Sequence, residues 1–204
     1  RLKIETQKVF IECEKERGEF VLPLLGEFNR MNAVAAISVL RSLSYQIPSV
    51  LPYVNSLRLP EGRMQRVNIS DITVVIDYAH TPDALQSVLC SLMKTSTGRL
   101  ITVFGCGGER DKGKRGEMGQ IASFYSSDVI VTTDNPRNED AETIIKEMQT
   151  GVDVVNRKKT ISIKDRRGAI KHACSYAKKG AIRLFAGQGH EKLQAIKGIK
   201  NIFA

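Results

Sequence analysis

Short runs rich in valine and isoleucine alternate with helical segments through most of this chain, and this alternation limits its fold more than any other feature. The pattern predicts strands over Ile72 to Asp77, Leu100 to Phe104, Val129 to Thr133, Thr160 to Ile163 and Ile182 to Ala186. Helices are predicted from Pro82, near Glu117, over Ala141 to Met148 and over Arg166 to Ala177. Apolar strands separated by helices indicate an α/β, Rossmann-like fold, in which helices cover both faces of a mostly parallel sheet.

The beginning of the chain has a different pattern. Residues 30–47 carry apolar side chains at helical spacing, which predicts a helix that ends before Pro48. Pro60 and Gly62 then mark a break in the stretch RLPEGRMQRV. We therefore predict two domains, with the boundary between residues 57 and 58.

Composition excludes several classes of protein. With 204 residues, 42% of them hydrophobic, the chain is long enough for one domain and part of another, and global disorder is not expected. Its four cysteines lie far apart, which favours neither a disulfide framework nor a zinc site and fits a reducing cytosol. Every apolar run is shorter than the roughly 18 residues needed to span a bilayer, and the first residues lack a signal peptide's apolar core. We expect a cytoplasmic protein with no membrane partner.

Positive charge is concentrated towards the end of the chain. The formal net charge is +9, and the segment 157–204 carries thirteen Lys or Arg against Asp165 and Glu191, an excess of eleven. Nucleic acid, small anionic substrates and a solvated basic face each explain such an excess. The basic residues are not interleaved with aromatic side chains for base stacking. We therefore expect small-molecule partners and no nucleic acid, with most of these lysines on a solvated face.

Polar loops follow four of the predicted strands. They are DYAHTPDAL (77–85), GCGGERDKGKRG (105–116), DNPRNED (134–140) and GQGHE (187–191). One such loop would be an ordinary turn or helix cap. In a parallel sheet, however, the loops that follow the strands meet at one edge, and ligands bind there. The sequence therefore predicts a ligand site formed by these four loops.

Familiar nucleotide and hydrolase motifs do not account for these loops. Gly108 to Lys114 reproduces most of a P-loop, but Arg115 stands where Ser or Thr would hold magnesium. We interpret this loop as a flexible turn that presents Arg110, Lys112, Lys114 and Arg115. No Gly-x-Ser-x-Gly elbow accompanies the histidines, and no residue is identified as a general base. His80 and His190 lie in strand-end loops and are candidates for ligand contact, whereas His172 is interpreted as structural.

The loop 134–140 carries groups that match the charged end of an amino acid. The guanidinium of Arg137 suits a carboxylate, and Asn135 can both donate and accept hydrogen bonds. Asp134 or Glu191 can hold an ammonium group. Because Arg137 would repel a ligand that ends only in an ammonium group, the loop predicts a ligand with both charges at its tip.

Taken in order, these motifs resemble those of the Mur ligases of peptidoglycan synthesis. The resemblance runs through GEFNRMNAVAA (26–36), GRMQRV (62–67) and the four loops, and thus covers nearly the whole chain. It implies ATP-dependent amide synthesis, in which ATP phosphorylates a D-glutamate side-chain carboxylate and the amine of an incoming amino acid attacks the acyl phosphate. It also implies that residues 1–57 are the remnant of a central α/β ATPase domain and residues 58–204 a slightly truncated carboxy-terminal Rossmann-like domain.

The resemblance also assigns substrates and residues. It implies that the chain binds meso-diaminopimelate and adds it to UDP-N-acetylmuramoyl-L-alanyl-D-glutamate. The residues matched to the amino acid are Arg110, Asp134, Asn135, Pro136, Arg137, Gly187 and Glu191, and those matched to ATP are Asn29, Arg63, Asp77 and His80. The P-loop, a modified lysine and the ligands of Mg²⁺ are expected upstream of Arg1, so we expect this chain alone to be an inactive monomer.

Two positions depart from the family pattern, and two other functions stay open. Gln188 stands where lysine is usual, and Gly116 stands where proline is common. A lysine-adding relative is one alternative, against which Arg137 argues. The other alternative is a non-catalytic Rossmann-like module that binds nucleotides or nucleic acid through the basic region.

Overall fold

The structure, a computed structural model, describes residues 7–13, 15–69, 72–95, 98–175 and 180–202. Contacts divide the chain into two compact units, one ending at Pro60 and the other starting at Glu61. This division falls three residues after the predicted boundary between residues 57 and 58.

An antiparallel hairpin and two helices form the first unit. Its elements are β1 (Gln7–Cys13), β2 (Glu16–Leu22), α1 (Glu27–Ser42) and α2 (Ile47–Val54). Phe20 and Leu22 of β2 pack in its core with Ile37 of α1 and Ile47 of α2. The two helices thereby cover one face of the hairpin.

The helix predicted over residues 30–47 is wrong at both ends. It begins three residues earlier, at Glu27, and it ends at Ser42. Ser44 has a φ of 69°, so the chain turns there without a glycine or proline to mark the break. The sequence therefore gave no local signal against continuing the helix. Pro48 lies in the first turn of α2, where the N–H that proline lacks would have no partner within the helix.

A six-stranded sheet forms the second unit. Its strands are β3 (Gln65–Ile69), β4 (Ile72–Asp77), β5 (Leu100–Phe104), β6 (Asp128–Val131), β7 (Thr160–Ser162) and β8 (Ile182–Ala186). The order across the sheet is β3-β4-β8-β5-β6-β7, and all neighbours are parallel except β3, which pairs antiparallel with β4 at the edge. The predicted α/β fold with a mostly parallel sheet is confirmed.

Helices cover both faces of this sheet. They are α3 (Pro82–Thr95), α4 (Gly113–Tyr125), α5 (Ala141–Thr150) and α6 (Arg166–Ser175). The connections through the first three helices move along the sheet in one direction, whereas the connection through α6 returns in the other direction to β8. Because parallel crossovers are right-handed, the reversal places α6 on the opposite face. There Ala169 and Ala173 pack against Ile101, Val103 and Ile130.

The five strands predicted for the parallel sheet all exist, and three of them have the predicted bounds. Of the other two, β6 begins one residue earlier and ends two residues earlier than predicted, at Asp128 and Val131, and β7 ends one residue earlier, at Ser162. Such strands can be recognised in the sequence because burial on both faces requires a continuous apolar run. The helix predicted over 166–177 is described as far as Ser175, and its last two residues lie outside the described residues.

The antiparallel strands were not predicted from the sequence. They include β1, β2 and β3, together with a hairpin of β9 (Leu193–Ile196) and β10 (Ile199–Ile202) that follows the sheet. Buried side chains in them, such as Val9, Phe20 and Leu22, are separated by half-buried or exposed ones, so these strands lack the continuous apolar run of a strand buried on both faces. None of the helices in the described ranges is long and apolar enough to cross a bilayer.

Candidate functional site

The loops after β4, β5, β6 and β8 lie along one edge of the sheet, because these four strands are parallel. Since β3 runs in the opposite direction, the turn before it reaches the same edge, where Gln65 pairs with Ile76. A Cβ atom on Gly62 would lie 2.2 Å from the backbone nitrogen of His190, so this turn packs directly on the loop after β8. The predicted meeting of the loops is therefore present in the fold.

The side chain of Asn135 connects the loops after β6 and β8. Its Nδ2 donates hydrogen bonds to Oδ1 of Asp134 at 3.1 Å and to Oε2 of Glu191 at 2.7 Å. Its Oδ1 accepts a hydrogen bond from the backbone nitrogen of Ala195 at 2.8 Å. The sequence suggested that this amide would face a ligand. In the structure, it holds two carboxylates together instead.

Asp134 is a buried carboxylate, with 8% of its surface exposed. Burial raises its pKa, and the charge of Arg166 and the hydrogen bonds from Asn135 oppose that rise. Its Oδ2 lies 2.7 Å from the place where a Cβ atom on Gly187 would be. Gly187 also has a φ of 111°, a conformation that favours glycine. The close approach of the loop after β8 to this carboxylate thus requires glycine.

Arg137 is held by its backbone and by one end of its guanidinium. Its backbone bonds to β9 through Ala195, and Lys197 donates to its carbonyl oxygen at 2.7 Å. Nη1 donates to the carbonyl oxygens of Gly108 at 2.7 Å and of Asn135 at 3.3 Å. Within the described part of the chain, the guanidinium hydrogen bonds of Arg137 all come from Nη1. Nε and Nη2 therefore remain to bind a carboxylate.

Arg110 lies close to Arg137 and is exposed. A Cβ atom on Gly107 would lie 3.0 Å from Nη1 of Arg137 and 3.7 Å from Cγ of Arg110, so the two arginine side chains flank the same backbone position. Pro136, the remaining predicted contact in this loop, is buried, and its carbonyl oxygen accepts a hydrogen bond from the backbone of Glu139 at 3.0 Å. Pro136 therefore shapes the loop, while the arginines supply its positive charge.

Arg115 does not belong to a flexible, solvated turn, and that interpretation is wrong for this residue. It is fully buried in α4, where Nη1 and Nη2 each donate to Glu139 at 2.9 Å. Nη1 also donates to Glu147, and Nη2 donates to the carbonyl oxygen of Gly107 at 3.2 Å. The bond to Arg115 is the main cause that lowers the pKa of Glu139 to about 2. Arg115 precedes the buried Met118 by three residues, a helical spacing that indicated its inward orientation.

Tyr78 is a central residue that the sequence motifs did not single out. Its hydroxyl donates to Oε1 of Glu191 at 3.1 Å. The guanidinium carbon of Arg63 lies 4.7 Å from its ring centroid, and the rings of His80 and His190 lie at 4.7 Å and 5.3 Å. Tyr78 thus contacts residues from both predicted ligand sets. In the motif DYAHTPDAL the charged and helix-capping residues stand out, and no local signal distinguishes the tyrosine.

Three of the residues matched to ATP have well-defined surroundings. Asp77 is buried, and its two carboxylate oxygens accept hydrogen bonds from the backbone nitrogens of Met64 at 2.7 Å and Ala79 at 2.8 Å. Burial raises its pKa, and these bonds oppose the rise. Nδ1 of His80 lies 2.8 Å from a carbonyl oxygen, so it donates and leaves Nε2 for a ligand. In the first unit, Asn29 is buried and donates to the carbonyl oxygen of Leu25 at 2.6 Å.

No metal site is formed by the described residues. In the ranges that the structure covers, no group of three His, Cys, Asp or Glu side chains is placed to hold an ion.

Comparisons with known proteins identify one family. The model of the family described as "Mur ligase, glutamate ligase domain" matches residues 62–189. The chain is 44% identical over 202 residues to the UDP-N-acetylmuramoyl-L-alanyl-D-glutamate--2,6-diaminopimelate ligase of Cytophaga hutchinsonii, covering 98% of this chain and 42% of that protein. Its identity to the ligase of the same name from Bacteroides thetaiotaomicron is 42% over 188 residues, covering 91% and 39% of the two chains.

Solved structures agree with these matches. A structure of a UDP-N-acetylmuramoyl-L-alanyl-D-glutamate--2,6-diaminopimelate ligase has a TM-score of 0.69 and 38% identity, covering 97% of this chain and 40% of the other. Folylpolyglutamate synthase from Mycobacterium tuberculosis, complexed with ADP and AMPPCP, has a TM-score of 0.68 at 20% identity, covering 88% and 44% of the two chains, and therefore shares the fold alone. The chain spans about two fifths of the length of the curated relatives it matches.

Proposed function

This chain belongs to the Mur ligase family, and we propose that it is the amino-acid-binding part of a ligase that joins meso-diaminopimelate to UDP-N-acetylmuramoyl-L-alanyl-D-glutamate. The reaction would consume ATP and form an amide bond. The relatives named for this reaction are more than twice as long as the chain, so the ATPase chemistry is assigned to the whole ligase.

The observation that carries this proposal is a separation of opposite charges at one edge of the sheet. Arg137 offers two guanidinium nitrogens for a carboxylate. Beside it, Asn135 holds the carboxylates of Asp134 and Glu191, which suit an ammonium group. Together they match a zwitterionic amino acid end. Diaminopimelate has two such ends, so one can be bound here while the amine at the other end reacts.

This charge pattern favours meso-diaminopimelate over L-lysine. The side chain of lysine ends in an ammonium group alone, so it would place no carboxylate on Arg137. The guanidinium would then remain unpaired beside a second positive charge, which is unfavourable. A lysine-adding ligase would gain nothing from an arginine at this position.

Within the proposed reaction, the residues of this chain bind and orient the amino acid. Arg110 and Arg137 stay protonated near neutral pH, so they are orienting groups and not bases. Their positive charge also offsets the crowding of anionic reactants. Holding the free amine near the acyl phosphate converts a bimolecular step into an effectively unimolecular one. No described side chain has a geometry that identifies it as a general base.

We further propose that part of the ATP contacts lie on this chain. Arg63 and His80 gather around Tyr78, and His80 presents Nε2, which suits a nucleotide hydrogen bond. Asp77 would act through the backbone of Met64 and Ala79, because both of its oxygens accept hydrogen bonds there. The contribution of Asn29 rests on the motif GEFNRMNAVAA. ATP, Mg²⁺ in the whole ligase, a cytoplasmic location and a monomeric state complete the proposal.

Calorimetric titration of the chain tests the proposed ligand. We expect meso-diaminopimelate to bind at least about tenfold more tightly than L-lysine, the difference that one charged hydrogen bond supplies. Equal binding of the two amino acids would favour the lysine-adding alternative. Polynucleotide binding that weakens steeply with salt and survives Arg137→Ala would favour the nucleic-acid alternative.

A further inference from the structure

Arg166 lies behind the proposed amino-acid site, at the start of α6. It is 3% exposed, and its Nη2 donates to the carbonyl oxygen of Ala186 at 2.9 Å. Its Nη1 donates to the carbonyl oxygen of Thr133 at 3.3 Å. Ala186 is the last residue of β8, and Thr133 follows β6 by two residues. One guanidinium therefore links the ends of two strands that are separated by β5.

These two carbonyl groups come immediately before site residues. Ala186 precedes Gly187, and Thr133 precedes Asp134. The bonds of Arg166 thus determine where both loops leave the sheet. Because Asp134 and Glu191 are joined through Asn135, a shift of either strand end would change the distance between the two carboxylates.

The positive charge of Arg166 also interacts with this pair of carboxylates. Its positive charge favours the ionised form of Asp134 against the effect of burial, and both carboxylates favour the charged form of Arg166. With both carboxylates ionised, the buried guanidinium offsets one of their two negative charges and leaves the other. That charge is the one an ammonium group of the ligand would neutralise.

The remaining groups that face Asp134 do not supply this balance. The hydroxyl of Tyr78 and the thiol of Cys106 both interact with its charge, from the loops after β4 and β5. Burial is the largest cause that raises the pKa of Tyr78, and it raises the pKa of Cys106 to about 12. Both groups are therefore neutral near pH 7. Arg166 is a cation that interacts with both Asp134 and Glu191.

A purely structural link between two carbonyl groups would not need a charge. Burying a charge for this purpose costs much more than burying a neutral donor. Nε of Arg166 is buried and has no hydrogen-bond partner among the described residues, which adds to the cost of placing a guanidinium there. The positive charge therefore needs a reason beyond connecting the strands, and the two carboxylates provide it.

We propose that Arg166 is a positioning residue: its buried guanidinium fixes the ends of β6 and β8 and supplies a positive charge near the buried carboxylate of Asp134, so that the site accepts one ammonium group. This inference rests on the proposed function for the identity of the ligand, but not for the interaction between Arg166 and Asp134. The two can therefore be tested separately.

The first test needs no ligand. The pKa of the Asp134 carboxyl would be measured by carbon-13 NMR in the ligand-free chain. In Arg166→Met it should rise by about one unit or more, the usual effect of losing a nearby opposite charge. Arg167→Met is the matched control, because Arg167 is the next residue on α6 and is exposed. An unchanged Asp134 pKa in folded Arg166→Met would overturn the inference.

The second test uses the pH dependence of meso-diaminopimelate affinity. Affinity should decline as the pH falls through the pKa of Asp134, because protonation removes the charge that holds the ammonium group. In Arg166→Met this decline should begin about one pH unit higher than in the parent. A merely structural role would lower the affinity at every pH without moving the decline, and that result would contradict the inference.

A conservative variant keeps the test decisive if Arg166→Met does not fold. Arg166→Lys keeps the charge and should keep the Asp134 pKa close to that of the parent. Arg166→Gln keeps hydrogen-bond donors without the charge and should raise it. Equal Asp134 pKa values in these two variants would overturn the inference. A rise in Arg166→Gln without any binding of meso-diaminopimelate by the parent would support the role of Arg166 and reject the proposed ligand.

Discussion

Nδ2 of Asn135 lies 2.7 Å from Oε2 of Glu191, although 56 residues separate them in the chain. The two residues follow β6 and β8, which are not neighbours in the sheet. This hydrogen bond therefore connects the loop after β8, on one side of β5, to the loop after β6, on the other side. The negative half of the proposed site depends on this bond as well as on the two carboxylates.

Arg137→Ala should weaken meso-diaminopimelate binding by about 1.5–3 kcal/mol, the usual value of a hydrogen bond to a charged group. L-Lysine should lose less, because its side-chain end carries no carboxylate. Both residues have a Cβ atom, so the strain of the φ of 53° at this position is retained. Calorimetry would measure the change, with Arg167→Ala as control. An equal loss for both ligands would reject Arg137 as the group that selects meso-diaminopimelate.

Tyr78→Phe should weaken meso-diaminopimelate binding by about 1 kcal/mol. The variant removes the hydroxyl that donates to Glu191 at 3.1 Å but retains the ring beneath Arg63. Tyr53→Phe is a suitable control, because Tyr53 is 73% exposed in the first unit. If both variants bind as the parent does, the hydroxyl of Tyr78 does not hold Glu191 in a binding position.

Gly187→Ala should lower both stability and ligand affinity, because its Cβ atom would lie 2.7 Å from Oδ2 of Asp134. Gly180→Ala is the matched control. That residue also has a positive φ, 83°, but nothing lies within 4 Å of its Cβ position. Both variants should lose stability of about 1 kcal/mol from backbone strain, and Gly187→Ala alone should lose affinity. Thermal unfolding and calorimetry would separate the two effects.

Arg115→Met should destabilise the second unit by about 2–4 kcal/mol, because it removes the buried partner of two carboxylates. This loss of stability is smaller than that for a fully buried ion pair, because Glu139 and Glu147 remain 20% and 35% exposed. Lys112→Met is the control. Lys112 lies 3.7 Å from Glu139 but is 67% exposed, so it should change stability by less than about 1 kcal/mol. Urea unfolding would measure both variants.

The ion pair of Glu139 also predicts a pH dependence of stability. The pKa of Glu139 is lowered from 4.5 to about 2 in the folded chain. Its contribution is therefore fully present above about pH 4.5 and is lost as the pH falls towards 2. Glu139→Gln should flatten the unfolding free energy over this range. Glu142→Gln, which removes a carboxylate that is 60% exposed, is the control. Parallel pH profiles for Glu139→Gln and the parent would contradict the assignment.

Much of the candidate site was predictable because its residues lie in loops that follow strands recognisable from their apolar sequence. The bounds of β4, β5 and β8 were predicted to the residue, and the family inferred from the ordered motifs is confirmed. Helix α1 was harder to place, because its end at Ser42 has no glycine or proline. The residues assigned to the amino acid and to ATP stay predictions until binding is measured.

The amino-acid sequence by itself determined which segments form the parallel sheet and which polar loops follow its strands, because burial on both faces leaves a continuous apolar signature. Only the tertiary structure decided the partners. Arg115 and Arg166 are buried, Asn135 holds two carboxylates, and Tyr78 reaches Glu191. Most of these contacts join residues that are not neighbours in the chain, and those of Arg166, Asn135 and Tyr78 depend on a strand order in which β8 inserts between β4 and β5. Local sequence patterns carry no information about that order.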